Sequence, residues 1–352
     1  MTSTAMLICA ACGPVAAHDL RRDAIVYGED DRLEFYEIPE AAQRDLVRGS
    51  AVALLPREVA ELVATGRTSE VMTWGEAAGL CAEEPFANQP AAGFCSGVLV
   101  GPALVLTSEH CISMAPLHDW VVTFDYYLVT EETLQVDSDD VFDVERVVAV
   151  GVRDDTAEEQ LDFALVELSG QAGPRRSPAA VYTSPPQPSV GQRLYSISAP
   201  GGVPLKWDAG GSVVGIREQD DYFIADTDTS QGSSGSGVFD DRFGLLGVLS
   251  RGGSDVQPTA EGCNTTVRST EGNERFTLAH RAIEELCEVE PMQPLCDEAC
   301  SQPCRNRVDD VPPAPGCTLA VGTPTRCSSW LINLLIPTAI MLHRNRRRRS
   351  GA

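Results

Sequence analysis

The stretch DTDTSQGSSGSGVFD, residues 226–240, crowds glycine and serine together immediately before an apolar run. A flexible linker of that composition is rarely followed at once by VFDDRFGLLGVLS, which continues to residue 250. The alternative is a turn whose glycines open backbone conformations closed to other residues, so that peptide N–H groups converge on one point. Ser234, between Gly232 and Gly235, then stands at the tip of the turn. Nucleophilic serine catalysis needs an activated hydroxyl, an imidazole base with an orienting carboxylate, and amides for the oxyanion. The stretch supplies candidates for the first and the last.

Of the five histidines, only His110 and His118 fall in the strand-rich body. His110 ends the segment CSGVLVGPALVLTSEHC (95–111), after an apolar strand and directly before Cys111. A bridge from Cys95 to Cys111 would close two strands into a hairpin and fix the imidazole, whereas His118 reads as a surface loop residue. For the carboxylate, Asp162 opens the apolar strand LDFALVEL (161–168), where it can be shielded; Asp154 and Asp155 sit in a polar turn.

The blocks FCSGVLVGPALVLTSEHC, LDFALVEL and GSSGSGVF together resemble the signatures of trypsin/chymotrypsin-fold serine peptidases, in the order His, Asp, Ser. They are most similar to the bacterial secreted branch that includes glutamyl endopeptidases, and VYGEDDRLEF (26–35) resembles the mature start of those enzymes. The resemblance implies a mostly β fold of two tandem antiparallel barrels over residues 25–288, joined by a connector at about 170–191. It also implies His110 as general base, Asp162 as its orienter and Ser234 as nucleophile, with the amides of Gly232 and Ser234 forming the oxyanion hole. Asp228, Ser250 and Gly252 would contact substrate. Protein or peptide substrates follow, with no cofactor and no metal.

Two residues depart from the pattern. Ser233 stands where animal trypsins carry the aspartate that receives a new N-terminus, so activation through a buried ammonium–carboxylate pair cannot operate. Glu109 precedes His110 where the family prefers small residues, and a carboxylate there is expected to favour the charged imidazole. A peptidase-fold module without catalysis, acting by binding alone, is the second reading of the same residues.

The net charge of −24 argues against nucleic acid or an anionic membrane as partner of the folded part. Twelve cysteines, without the paired spacing of a zinc site in the body, point to disulfides in an oxidising compartment. Residues 1–24 read as an export leader with an apolar run and small residues, although the usual basic start is missing. One amphipathic helix is expected in RFTLAHRAIEELCEV (275–289), where Leu278, Ala282, Ile283 and Leu286 share a stripe and His280 lies off it. Residues 289–327 read as a cysteine-rich stalk, and 328–352 as a short apolar segment with an arginine-rich end. The run Trp330–Leu342, as a helix, would reach about 20 Å, short of a bilayer core of roughly 30 Å. With Cys327 before it and arginines after it, the tail resembles myxobacterial surface-sorting segments, which implies a bacterial protein exported and held at the cell surface.

Overall fold

The computed structural model describes residues 26–151, 161–182, 186–217, 222–253 and 255–296. The leader, Asp154 and Asp155, almost all of the stalk and the whole tail lie outside the described residues. Two antiparallel sheets dominate. The first has seven strands, in the spatial order 144–151, 163–168, 104–107, 95–101, 51–56, 120–123 and 141–142. The second has nine; its main path runs 213–217, 222–225, 274–278, 244–251, 237–239, 195–198, 206–208 and 33–34, and Ala180–Val181 adds a short parallel pairing to the strand Gly244–Arg251. The chain is thus mostly β, with two curled half-barrels, few helices and a C-terminal helix.

The strands form where the sequence is apolar without interruption. Cys95–Gly101, Leu104–Thr107 and Gly244–Arg251 are buried along nearly their whole length, as β-rich runs covered on both faces should be. The run WVVTFDYYLV (120–129) does not make one strand. Trp120–Thr123 stops because Asp125 takes φ +53 and turns its carboxylate inward. Arg176 donates to both of its oxygens, at 2.6 and 2.8 Å, and also bonds Asp140, while stacking over Phe124 at 4.7 Å. A segment legible only as a connector therefore supplies a buried, fork-to-fork ion pair.

The helix Ala279–Val289 packs Ala279, Ala282 and Leu286 into the core cluster that also holds Ala149, Phe163 and Leu165 of the first sheet. His280, read as lying off the apolar stripe, is 4% exposed; it stands at the first turn, where the helix has just left a buried strand. The N-terminal segment crosses to the second sheet, through Leu33–Glu34 on Lys206–Asp208 and Val26–Tyr27 on Arg268–Ser269. Among the described residues, helices that the strand pattern did not announce include Ala41–Ser50, Arg57–Ala64 and Trp74–Ala78. The last has a capping box: Thr73 Oγ1 accepts from Glu76 N, and Glu76 Oε2 accepts from Thr73 N. Disulfides join Cys81 to Cys263, Cys95 to Cys111 and Cys287 to Cys296. Among the described residues no helix is long and apolar enough to cross a membrane.

Candidate active site

Strand register brings the first two candidates together. Ala164 pairs with Thr107 in the antiparallel ladder, so two residues further along each strand Asp162 comes level with Glu109 and His110. His110 lies in the one-turn helix Glu109–Ser113. Its Nδ1 is 2.8 Å from Asp162 Oδ2, and its backbone N–H donates to Asp162 Oδ1 at 3.2 Å. The Asp162 side chain is 1% exposed and that of His110 36%. Both carboxylate oxygens are therefore engaged by one histidine, which fixes the ring and leaves Nε2 as the nitrogen free for chemistry. Glu109 does not compete for this role; its carboxylate accepts from Ser113 Oγ one turn along the helix.

The glycine–serine turn is held against that unit by hydrogen bonds from the first sheet. Ser96 N donates to Ser234 O and Ser96 Oγ to Gly232 O, both at 2.8 Å, and Ser96 Oγ accepts from Ala199 N at 2.9 Å. Ser108 Oγ donates to Leu249 O at 2.6 Å. Cys111 Sγ lies 3.7 Å from Ser234 O, and a ring nitrogen of His110 is within 4.8 Å of the Cys95 and Cys111 sulfurs. Both sulfurs are in the disulfide, so this group is not a thiolate metal site. Among the described residues Ser234 Oγ makes no hydrogen bond to the ring.

Gly232 at φ +97 and Gly235 at φ +81 adopt the left-handed conformations the sequence anticipated. Among the described residues the N–H groups of Gly232 and Ser234 donate to no protein acceptor, whereas Gly235 N bonds Leu249 O at 2.8 Å. Ser233 is wholly buried; its Oγ donates to Ser198 Oγ at 3.0 Å and accepts from Ser230 N at 3.2 Å. A hydroxyl network occupies the place of a carboxylate.

A cavity of about 490 Å³ opens beside Ser234, walled by Thr229–Gln231, Leu249, Gly252, Gly253, Asp255, Val256 and Glu274. Gly252 lines it. Ser250 does not: its Oγ donates to Arg275 O at 3.0 Å. Nor does Asp228, which is 2% exposed. Its Oδ1 accepts Tyr27 N at 2.8 Å, and the N-terminal strand covers it. Burial raises the Asp228 pKa to about 7 against the pull of the Tyr27 amide and of Arg32. Glu274, which sequence reasoning passed over, is 1% exposed on the cavity wall. Burial raises its pKa to about 8, although Thr229 Oγ1, Tyr27 OH and the Gly253 N–H all donate to it. Ser96 was also missed, although CSG directly after the buried Cys95 marked a polar residue inside an apolar strand.

Residues 95–248 match the family model of the trypsin-like peptidase domain. The matched span carries a trypsin-like domain signature and contains His110, Asp162 and Ser234. No curated protein matches the chain. Among solved structures, the scabies mite inactivated protease paralogue S-I1 aligns at 15% identity over 71% of this chain and 97% of that one, with a TM-score of 0.44. Neuropsin, a serine protease expressed in the limbic system of mouse brain, aligns at 18% identity over 68% and 94%, with a TM-score of 0.43.

Proposed function

We propose that this chain is a serine endopeptidase acting through an acyl-enzyme. The observation that carries the reading is the double engagement of Asp162 by His110, with Nδ1 at 2.8 Å. A proton held on Nδ1 leaves Nε2 basic. Ser234 Oγ gives its proton to Nε2 as it attacks the scissile carbonyl, and the N–H groups of Gly232 and Ser234 bind the resulting oxyanion. Collapse breaks the C–N bond, and the imidazolium protonates the leaving amine. Water, deprotonated by the same Nε2, then releases the acyl group and restores Ser234. Asp162 stays ionised throughout and stabilises the imidazolium.

The second reading, a peptidase-fold module that only binds, draws on the missing Ser234–His110 hydrogen bond. Labelling by an uncharged fluorophosphonate separates the two. Covalent modification of Ser234, lost in His110→Ala, supports catalysis; no reaction beyond that of free serine favours the binding module. Export to an oxidising compartment is part of the proposal and is supported by the three disulfides. Retention at a bacterial cell surface rests on the likeness of the tail to sorting segments. Fractionating cells that express the full chain and a form ending at residue 327 tests it: the truncated form should be released into the medium.

A further inference from the structure

The N–H of Gly232 takes its direction from the other end of its own peptide unit. In a planar trans peptide the C=O and N–H point opposite ways, so whatever holds Gln231 O also aims Gly232 N–H. Gly201 N donates to Gln231 O at 2.7 Å, and Gln231 N donates to Asp255 Oδ2 at 2.9 Å. A flip of this peptide would cost Gln231 O its donor and turn Gly232 N–H from the side it now faces. The turn also leans on the loop that carries Gly201. A Cβ at Gly232 would lie 2.5 Å from Ala199 O and 2.7 Å from Gly202 N.

Gly201 is itself held by a ring from a distant part of the chain. A Cβ at Gly201 would lie 2.3 Å from Trp74 Cε2 and 2.5 Å from its Cδ2 and Nε1, so the indole covers the Cα with no room for a side chain. Trp74 is 4% exposed and clusters with Val26 and Val203. It opens the helix Trp74–Ala78 and does not line the cavity beside Ser234. The segment around it is tied to the second sheet's loops at several points. Gly93 N donates to Gly202 O at 2.9 Å, Asn264 Nδ2 donates to Ala78 O at 2.6 Å, and Cys81 is bridged to Cys263.

We propose that Trp74 is a positioning residue: through Gly201 it fixes the Gln231–Gly232 peptide in the orientation that offers Gly232 N–H to an oxyanion. A packed ring needs no buried charge pair, which suits a chain whose Ser233 is hydrogen-bonded to Ser198. The consequence for catalysis rests on the peptidase reading, whereas the hold on the peptide does not.

Both arms of the test use the full chain and compare wild type with Trp74→Ala and Trp74→Phe. In the first, hydrogen exchange is followed by mass spectrometry in peptides spanning 199–205 and 228–236. Exchange in both should quicken about tenfold in Trp74→Ala, as local opening becomes easier. It should stay near wild type in Trp74→Phe, which keeps a flat ring on Gly201. In the second, labelling by the uncharged fluorophosphonate is resolved into a maximal rate, a half-saturating concentration and an end-point. The maximal rate should fall on the order of 10²-fold in Trp74→Ala, as when an oxyanion donor is removed. Half-saturation should change little, and Trp74→Phe should label close to wild type. A purely structural role would lower the end-point, because fewer molecules fold, and leave the rate intact; that result overturns the proposal. Unchanged exchange in both peptides overturns it too. Absence of labelling in wild type sinks the peptidase reading instead, and exchange alone then decides whether Trp74 holds the peptide. If Trp74→Ala does not fold, Trp74→Leu, which fills the space without a flat face, is held to the same criteria.

Discussion

The backbone N–H of Ser96 donates to the carbonyl of Ser234 at 2.8 Å, and Ser96 Oγ donates to Gly232 O at the same distance. One residue of the first sheet thus holds both ends of the turn that carries the candidate nucleophile and oxyanion amides. Its neighbour Cys95 is bridged to Cys111, next to His110. The next strand adds a second tie between the sheets, from Ser108 Oγ to Leu249 O at 2.6 Å.

Ser96→Ala removes a hydroxyl that is wholly buried and satisfies two backbone groups, Gly232 O and Ala199 N. Orphaning buried polar groups costs about 1–3 kcal/mol, so the urea midpoint should fall by a corresponding amount with an unchanged m-value. As Ser96 positions the turn without touching substrate, kcat should fall at least tenfold, with KM moving less. A loss of stability with kcat intact would make Ser96 purely structural.

Asp162→Asn tests the imidazole's tautomer. The carboxylate accepts from two donors of His110, its backbone N–H and Nδ1. An amide offers one acceptor and one donor, so it can satisfy only one of them without a ring proton moving to Nε2. With Nε2 protonated the ring cannot take the Ser234 proton, and kcat should fall on the order of 10⁴-fold. Circular dichroism should stay as in wild type. A variant that retains a tenth of the activity would remove Asp162 from the mechanism.

The parts of this site legible in sequence are those set by local pattern. Alternating and continuous apolar runs announced the strands that flank His110 and Asp162, and the glycines at 232 and 235 announced a left-handed turn. What escaped reading depends on contacts between distant segments. Glu274 became relevant only because Gly252 lies in front of it, and Asp228 left the cavity because Tyr27, 201 positions earlier, donates to it. The Asp125–Arg176 pair broke a strand from 51 residues away. No periodicity encodes such pairings. The helix at Trp74 is a different case, for its Thr73–Glu76 capping signal is local and stands in the sequence itself.

Stability should fall as pH rises from 5 to 8. Burial raises Asp228 to about 7 and Glu274 to about 8, from 3.8 and 4.5. In the unfolded chain both acids ionise near their ordinary values, while the folded protein keeps its protons. Their contribution is therefore fully present below about pH 4 and is lost progressively as pH rises through the folded values. Lys206, which burial lowers to about 8 from 10.5, works the other way but mainly above pH 8, so it does not cancel the trend. A Tm lower by several degrees at pH 8 than at pH 5 is expected, with a smaller difference in Asp228→Asn. A flat or rising profile would contradict these buried acids.

Gly235 marks the closest approach of the turn to the first sheet. It sits at φ +81, and a Cβ there would overlap Thr107 Oγ1 and Ser96 O and come within 2.8 Å of Ser108 N. Gly191 has a similar φ of +84 with nothing within 4 Å of its Cβ position. The pair separates backbone strain from crowding. Gly191→Ala should cost only the left-handed penalty, about 1–2 kcal/mol, with activity preserved. Gly235→Ala carries that penalty plus displacement of Ser96 and Ser108, two residues that tie the turn and Leu249 to the His110 side. A loss of about 3 kcal/mol or more is expected, with fluorophosphonate labelling abolished in whatever fraction folds. Equal losses in the two variants would mean that the halves do not need glycine to meet at Ser234.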